Sequence, residues 1–190
     1  MKIQPLELVW PAAEYLPGYV RALEHRWSPD NLRPEAATEE LERIAADPAR
    51  FLSEQVDREA NGPPIKLPDG RTVQRLPGYQ RWMWDGEFCG AIGFRWQPGT
   101  TDLPPTCLGH IGYAVVPWKR QRGYATRALQ LLLPDAAAEG LPFVVLTTEA
   151  NNIASQRVIE ANGGEVIERF REATAHDGAE MLRYRIVFAK

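Results

Sequence analysis

The sequence has 190 residues, of which 44% are hydrophobic and 25% are charged, and its formal net charge is -3. These values are typical of a soluble globular protein, so we expect one domain over residues 1–190. The weakly acidic balance argues against nucleic-acid binding by general electrostatics. No apolar run approaches the ~20 residues of a membrane helix, and the N-terminus lacks the apolar core of a signal peptide.

The two cysteines, Cys89 and Cys107, lack the spacing of metal ligands, and we expect no metal site. Reduced thiols are the expected state, although a bridge between the two stays open. Together with the missing signal peptide, this predicts a cytoplasmic protein.

The first seventy residues have mainly helical periodicity after one short strand. Apolar residues recur at helical spacing, and prolines mark where helices begin or stop. The predicted elements are a strand over Gln4 to Val9, a helical region over Pro11 to Trp27 that Pro17 and Gly18 divide in two, a helix over Pro34 to Ala46 that Asp47 and Pro48 end, a weaker helix over Phe51 to Arg58, and a loop over Asn61 to Gly70.

From Thr72 onward the period changes to that of strands, and two helices interrupt them. Asp85 and Gly86 are a strong hairpin signal, and Pro134 predicts a kink or an early end of its helix. The predicted elements are strands over Arg81 to Trp84, Glu87 to Trp96, His110 to Val116 and Pro142 to Thr148, helices over Gly123 to Glu139 and Asn152 to Asn162, and an antiparallel pair over Glu165 to Arg171 and Met181 to Phe188 around His176 to Gly178. The apolar run from Pro142 is typical of a central strand covered on both faces. This order predicts an α/β domain with a mixed sheet.

The stretch from Gly109 to Ala128 has the features of a phosphate site. A strand ends in a turn that carries Lys119, Arg120 and Arg122, and a helix begins at Gly123. N–H groups in the first turn of a helix have no intrahelical acceptor, and the peptide dipoles place partial positive charge there. A glycine at this point lets an anion approach the backbone, because it has no Cβ. The sequence therefore predicts a bound phosphate group at this turn.

The motif Arg-x-x-Gly-x-Ala over Arg120 to Ala125 resembles the acyl-CoA-binding signature of the GCN5-related N-acetyltransferase (GNAT) superfamily, Gln/Arg-x-x-Gly-x-Gly/Ala. A strand before it and an apolar helix after it are the context that this motif requires. The resemblance implies a GNAT fold, with a mixed, mostly antiparallel sheet of about six to seven strands flanked by helices, and acetyl-CoA as the cofactor. It implies that backbone N–H groups hold the pyrophosphate and that a bulge in the strand frees backbone groups for the pantetheine arm. The residues concerned are Arg120, Gln121, Arg122, Gly123, Tyr124, Ala125 and Thr126 for the pyrophosphate, and Val115 and Val116 for pantetheine.

A second motif, Asn-x-x-Ser-x-x-Val-x-Glu-x-x-Gly, runs from Asn152 to Gly163. By itself, Asn152 is a helix cap and Ser155 a first-turn residue. After the first motif, it is similar to the superfamily branch that acetylates ribosomal-protein N-termini and antibiotics, in which the Asn and Ser point toward the pantetheine and sulfur of the cofactor. The stretches GHIGYAVVPWKRQRGYATRAL, NNIASQRVIEANGGEV and LRYRI resemble a group of bacterial predicted acetyltransferases still more closely.

One position departs from the superfamily pattern. Many members carry a tyrosine on this helix, four residues before the final glycine, that protonates the leaving thiolate; here that position is Ile159. An aliphatic side chain cannot donate a proton, so we expect Ser155 or water to serve instead. Tyr124 is another hydroxyl nearby, but we expect it beside the pyrophosphate, too far from the sulfur.

The reaction also needs a base for the amine and a donor for the oxyanion. A group with a pKa near 7 suits the base, and His110 begins the strand into the cofactor turn, where many superfamily members carry a glutamate. A strand-end histidine that is only hydrogen-bonded to a neighbour is the structural alternative. The oxyanion donor is expected to be the backbone N–H of Val115 or Val116. Weaker candidates for the base are Glu87, Asp102 and Glu149.

These motifs predict an acetyl-CoA-dependent N-acetyltransferase that moves an acetyl group directly to a primary amine of a small molecule or a protein N-terminus. An alternative is a non-catalytic acyl-CoA-binding or regulatory domain, which Ile159 favours. A nucleotide-binding module is disfavoured, because the turn lacks the Gly-Lys-Ser/Thr ending of a P-loop. In this fold the N-terminal helices cover the acceptor, which places Glu24, His25 and Trp27 near it, but the residues do not identify the amine. The resemblance admits a homodimer, for which the residues themselves give no sign.

Overall fold

The computed structural model describes residues 5–67, 69–172 and 178–188, and these form ten strands and five α helices. The strands are β1 (Glu7–Val9), β2 (Val56–Asp57), β3 (Ile65–Lys66), β4 (Thr72–Val73), β5 (Gly78–Trp84), β6 (Phe88–Arg95), β7 (Ile111–Val115), β8 (Phe143–Glu149), β9 (Glu165–Arg171) and β10 (Glu180–Val187). The helices are α1 (Leu16–Glu24), α2 (Ala36–Ala46), α3 (Pro48–Ser53), α4 (Tyr124–Ala138) and α5 (Ile153–Glu160). The predicted α/β class is confirmed.

Most strands belong to one of two separate sheets. In the first sheet β1, β5, β6 and β7 are neighbours in that order, and β2 also pairs with β5. The second sheet has the order β8-β10-β9, and β3 forms a small hairpin with β4. The strand pairings of the described residues are antiparallel. The mostly antiparallel arrangement is therefore confirmed, but the strands are divided between two sheets.

Helices cover both faces of the first sheet. On one face, Leu129 and Leu132 of α4 and Ile159 of α5 belong to the larger buried cluster. On the other face, Tyr19 and Leu23 of α1 belong to a second buried cluster. Successive residues of a strand point to opposite faces, so β7 directs Tyr113 and Val115 toward α4 and Ala114 toward α1. The two faces of β7 therefore meet different helices.

The chain around β7 and β8 joins the two sheets at one end only. The His110 N–H donates to the Val145 carbonyl at 2.7 Å, and the Val145 N–H donates to Nδ1 of the His110 ring at 3.0 Å. Gly109 permits this approach, because a Cβ there would lie 3.1 Å from the Val145 carbonyl oxygen. Beyond this point β7 pairs with β6 and β8 pairs with β10, and the edges that face each other pair with no strand in the described chain. We call the gap between β7 and β8 beyond His110 and Val145 the cleft.

The first half of the chain departs from several predictions. The helix predicted from Pro11 begins only at Leu16, and Pro17 lies in its first turn, where a missing N–H has no helical acceptor to lose. The helix predicted from Pro34 begins at Ala36 and ends at Ala46, close to expectation. The weaker helix ends early, and β2 follows it. The predicted loop contains β3, whose partner β4 follows the loop, so a short hairpin was missed.

In the second half, α4 continues through Pro134 to Ala138, so an early end at Pro134 is wrong. Ala136 is fully buried in the core, and this packing holds the last turn although the proline removes a backbone hydrogen bond. β8 is not the central strand that was predicted, because it lies at the edge of its sheet. β9 and β10 pair as predicted, while the turn predicted from His176 lies mostly outside the described residues.

Two expectations from composition can also be compared with the structure. Cys89 and Cys107 are free thiols, and Cys89 is buried. Across residues 5–67, 69–172 and 178–188, no helix has both the length and the apolar character that crossing a membrane requires. Three aromatic residues of the β5–β6 hairpin, Trp82, Phe94 and Trp96, are buried in the core.

Candidate active site

The turn between β7 and α4 presents N–H groups to solvent. A 3₁₀ turn over Pro117–Lys119 leads to Gln121 and Gly123, whose φ angles are +62° and +75°. None of the described side chains caps α4, and a bond from the Arg127 N–H to the Gly123 carbonyl opens the helix. The N–H groups just before Arg127 therefore have no intrahelical acceptor, which suits an anion such as a phosphate. A Cβ added to Gly123 would meet no atom within 4 Å, so the approach is open.

The three cations of this turn differ in their surroundings. Arg120 and Arg122 are exposed. Lys119 is buried, and its Nζ lies 2.6 Å from Oδ1 of Asp85 and 3.1 Å from Oε2 of Glu87. Two arginines are therefore placed to meet an anion, whereas the charge of Lys119 is neutralised inside the protein.

The second motif lies beside the turn. Asn152 caps α5 as predicted, since its Oδ1 accepts a hydrogen bond from the Ser155 N–H at 3.1 Å. The Oγ of Ser155 lies 2.7 Å from the hydroxyl of Tyr113 on β7. Near the end of α5, Asn162 donates to the Thr126 carbonyl in the first turn of α4 at 3.2 Å. These bonds bring both motifs together at the open end of the cleft.

Tyr113 is a candidate functional residue that the residue patterns did not reveal. Its hydroxyl is within reach of both the Oγ and the carbonyl of Ser155, at 2.7 and 3.4 Å. Burial raises the pKa of Tyr113 to about 12, so the phenol keeps its proton at neutral pH. When Tyr113 donates to the Oγ, the proton of Ser155 is free for another acceptor. Ile159, which replaces the usual tyrosine, is buried in the core and offers no proton.

Val115 is the last residue of β7, and Val116 is the first residue after it. The Val116 N–H donates to the Cys89 carbonyl at 3.0 Å and is therefore used within the first sheet. In an antiparallel pair, the backbone groups of successive residues point to alternate edges of the strand. Val115 accordingly directs its N–H and carbonyl to the cleft. Its carbonyl accepts from Nε of Arg120 at 3.3 Å and keeps a second lone pair for a pantetheine N–H, while its N–H can donate to an oxyanion.

His110 lies at the closed end of the cleft. The ring is fully buried, and because Nδ1 accepts a bond from the Val145 N–H, its proton lies on Nε2 and the ring is neutral. Burial, together with the positive charge of Arg95, lowers the pKa of His110 to about 4. At about 3.3 Å per residue, His110 and Val115 are about 16 Å apart along the strand. The role of His110 as a base stays a prediction, and its burial, low pKa and position argue against it.

The other candidates for the base and the acceptor site are dispersed. Glu87 pairs with Lys119 in the turn between β5 and β6. Asp102 is exposed in the loop after β6, and Glu149 is the last residue of β8. Trp27 is buried in the cluster between α1 and the first sheet. These residues therefore lie on different elements of the fold.

Comparison with known families gives a clear result. A family model described as an acetyltransferase (GNAT) domain matches residues 9–165. No curated protein sequence is significantly similar to this chain. The family match covers the turn before α4 and all of α5, so both sequence motifs lie inside it.

Solved structures share the fold at low sequence identity. The microcin C7 self-immunity acetyltransferase MccE, in complex with acetyl-CoA and AMP, has a TM-score of 0.60 at 13% identity, over 96% of this chain and 92% of that one. The ribosomal L7/L12 alpha-N-protein acetyltransferase RimL, in complex with CoA, has a TM-score of 0.60 at 16% identity, over 98% of both chains. An acetyltransferase from Salmonella typhimurium that modifies the N-terminal serine of L7/L12 has a TM-score of 0.61 at 15% identity, over 100% and 97% of the chains.

Proposed function

Because this chain belongs to the GNAT acetyltransferase family, we propose that it is an acetyl-CoA-dependent N-acetyltransferase acting on a primary amine. The observation that carries the proposal is the pairing of two features at the open end of the cleft. One is the turn with free N–H groups before α4, and the other is the pair of hydroxyls from Tyr113 and Ser155. A protein that only binds acyl-CoA needs the first feature, whereas acetyl transfer also benefits from the second.

The cofactor lies with its pyrophosphate at the turn and its pantetheine arm along the free edge of β7. N–H groups of the turn and the exposed guanidinium groups meet the phosphates, and the carbonyl of Val115 accepts from an amide N–H of the arm. This directs the thioester toward the first turn of α5. The residues that hold the cofactor are then Val115, Arg120, Gln121, Arg122, Gly123, Tyr124, Ala125, Thr126, Asn152 and Ser155.

Acetyl transfer proceeds by direct attack of the amine nitrogen on the thioester carbonyl carbon. The N–H of Val115 stabilises the oxyanion that forms, and a single donor of this kind is worth about 10²- to 10³-fold in rate. When the carbon–sulfur bond breaks, the Ser155 hydroxyl donates to the thiolate while its own oxygen accepts from Tyr113. The amide and free CoA are the products, and the proton lost by the amine passes to solvent.

The acceptor is a primary amine of a small molecule or of a protein N-terminus. The structures that share the fold include enzymes whose names give both kinds of context, a ribosomal-protein N-terminus and a microcin. A panel of acceptors should therefore contain serine- and alanine-initiated peptides, polyamines, aminoglycosides and amino acids. Release of CoA thiol, measured with a colorimetric thiol reagent, identifies the amines that react.

Two measurements in sequence test the proposal. Calorimetric titration with acetyl-CoA should show saturable binding, and the absence of binding at millimolar concentration would overturn the proposal. Thiol release should then exceed the rate without acceptor for at least one amine. Binding without turnover on any amine would instead favour a regulatory acyl-CoA-binding domain, the alternative for which Ile159 is the motivating feature.

A further inference from the structure

A buried ionic cluster joins the β5–β6 turn to the cofactor turn. Oδ1 of Asp85 accepts from Nζ of Lys119 at 2.6 Å, and Oδ2 accepts from the Tyr124 hydroxyl at 2.5 Å. The side chains of Asp85 and Lys119 are only 8% and 7% exposed. Glu87 adds a carboxylate oxygen 3.1 Å from the same ammonium group, and the thiol of Cys89 lies 3.6 Å from it. The cluster is thus built from two segments that are distant in the sequence.

The two partners of Asp85 lie on either side of residues 120–123, which lead into the start of α4, where N–H groups without intrahelical acceptors can meet a phosphate. Lys119 is the last residue of the 3₁₀ turn, and Tyr124 is the first residue of α4. Between them, residues 120–123 include Gln121, a non-glycine residue with a φ of +62°. A left-handed conformation at such a residue is strained and persists only where its surroundings hold it. One carboxylate therefore fixes both ends of a strained segment.

Stability alone does not explain this arrangement. Burying an ion pair removes two charges from water, and the attraction between them roughly offsets that cost. Burial by itself would raise the pKa of the Asp85 carboxyl, but hydrogen bonds from Lys119 and Tyr124 outweigh it and leave the pKa below its ordinary value. The group is therefore a carboxylate at neutral pH. Backbone hydrogen bonds already join β5 to β6. The cluster therefore adds a fixed position of the turn before α4 relative to the first sheet.

We infer that Asp85 is a positioning residue for the cofactor, which holds Lys119 and Tyr124 so that the turn between them keeps the conformation that binds a diphosphate. This inference rests on the proposed function, because it concerns how acetyl-CoA is held. Lys119 does not bind phosphate in this arrangement; its charge is neutralised by Asp85 and Glu87. Without Asp85, Tyr124 loses the acceptor of its hydroxyl and Lys119 keeps only Glu87 as a carboxylate partner.

The first experiment measures CoA binding by calorimetry. Asp85→Asn should raise the Kd for CoA by about tenfold or more, and Tyr124→Phe, which keeps the ion pair, should raise it by about threefold. A matched control is Asp135→Asn. This change breaks a different ion pair, which Asp135 of α4 forms with Arg81 of β5 at 2.7 Å. This control should leave the Kd within about twofold of the wild-type value. An unchanged Kd in Asp85→Asn would overturn the inference, and so would tighter binding, which would mean that Lys119 binds phosphate once it is free.

The second experiment separates positioning from folding. Asp85→Asn leaves a buried ammonium group with fewer partners, whereas the double variant Asp85→Asn/Lys119→Met removes both charges. The double variant should regain thermal stability relative to Asp85→Asn but keep its weak CoA binding. Recovery of both properties together would show that Asp85 acts on stability alone.

S-Acetylpantetheine gives a third readout, because it keeps the thioester and the arm but lacks the diphosphate. Its binding, followed at millimolar concentration by the shift of the Ser155 amide resonance, should be the same in wild type and Asp85→Asn. Weaker binding of this probe in the variant would contradict a role confined to the diphosphate. Failure of the wild-type protein to bind CoA would refute the proposed function itself, whereas equal binding by wild type and variant refutes only the role of Asp85.

Discussion

At both ends of the cleft hydrogen bonds join β7 to a neighbouring element, to β8 at the closed end and to α5 at the open end, but the two ends differ in what those bonds leave free. At the closed end, the His110 ring and backbone bond to the backbone of Val145, and Gly109 lets the chains approach closely. At the open end, Tyr113 and Ser155 bond to each other through hydroxyls, and one of the two protons remains for a third group. We therefore expect position along β7, more than the acid–base type of the residue, to decide which group takes part in the proposed reaction.

The comparison predicts that the largest loss of activity follows from Ser155→Ala. We expect kcat to fall about 100-fold with little change in KM for acetyl-CoA, because a group that assists thiolate departure acts mainly in the transition state. Steady-state thiol release with a reactive amine measures both constants. Ser53→Ala is a suitable control, since that hydroxyl donates only to the Arg50 carbonyl at the end of α3 among the described groups and should leave kcat unchanged. Full activity of Ser155→Ala would move the thiolate donor elsewhere.

The next largest effect is expected at the turn before α4, where a substitution should change KM for acetyl-CoA and not kcat. Gly123→Ala places a methyl group where the phosphate approaches, and we expect KM for acetyl-CoA to rise about tenfold. Gly140→Ala is the matched control for Gly123→Ala. The φ angles of the two glycines are similar, +86° and +75°, and a Cβ added at either position meets no atom within 4 Å. Each change should destabilise the protein by about 1 kcal/mol through backbone strain. Equal KM values in the two variants would show that Gly123 serves only the backbone.

Tyr113→Phe tests whether the two hydroxyls at the open end act together. We expect kcat to fall about tenfold, and we expect the double variant with Ser155→Ala to be no slower than Ser155→Ala alone. Tyr184→Phe is the control, because Tyr184 is also buried and its hydroxyl donates to Glu160 of α5 at 3.1 Å. Independent, additive losses in the double variant would mean that Tyr113 does not act through Ser155.

The order of the longer strands and helices and the position of the basic turn before α4 could be predicted from the sequence, because they depend on local signals, whereas β2 and the short β3–β4 hairpin were missed. Gly123 begins a helix after a basic turn, and Asn152 caps the next helix as predicted. The partner of Ser155 could not be predicted, since a tyrosine on a strand gives no sign of which helix its hydroxyl meets. The choice of His110 as base rested on its residue type and on its place at the start of the strand, and neither reports that a backbone N–H occupies the ring nitrogen.

The smallest effect on activity is expected at the closed end, where His110→Gln should change kcat less than about threefold. Its effect on stability depends on pH. The pKa of His110 is lowered from 6.5 to about 4 in the folded protein, so the unfolded chain takes up a proton first as the pH falls. The contribution of the neutral His110 ring to the free energy of unfolding should therefore be fully present above pH 6.5. It should decrease by up to about 3 kcal/mol as the pH approaches 4.

Urea denaturation of wild type and His110→Gln at several pH values measures this difference. The glutamine does not titrate, so the free energy of unfolding of the variant should depend less on pH between 6.5 and 4. A large loss of kcat in His110→Gln, with a pH–rate profile that loses its acidic limb, would place the reaction at the closed end and reverse the contrast between the two ends of the cleft.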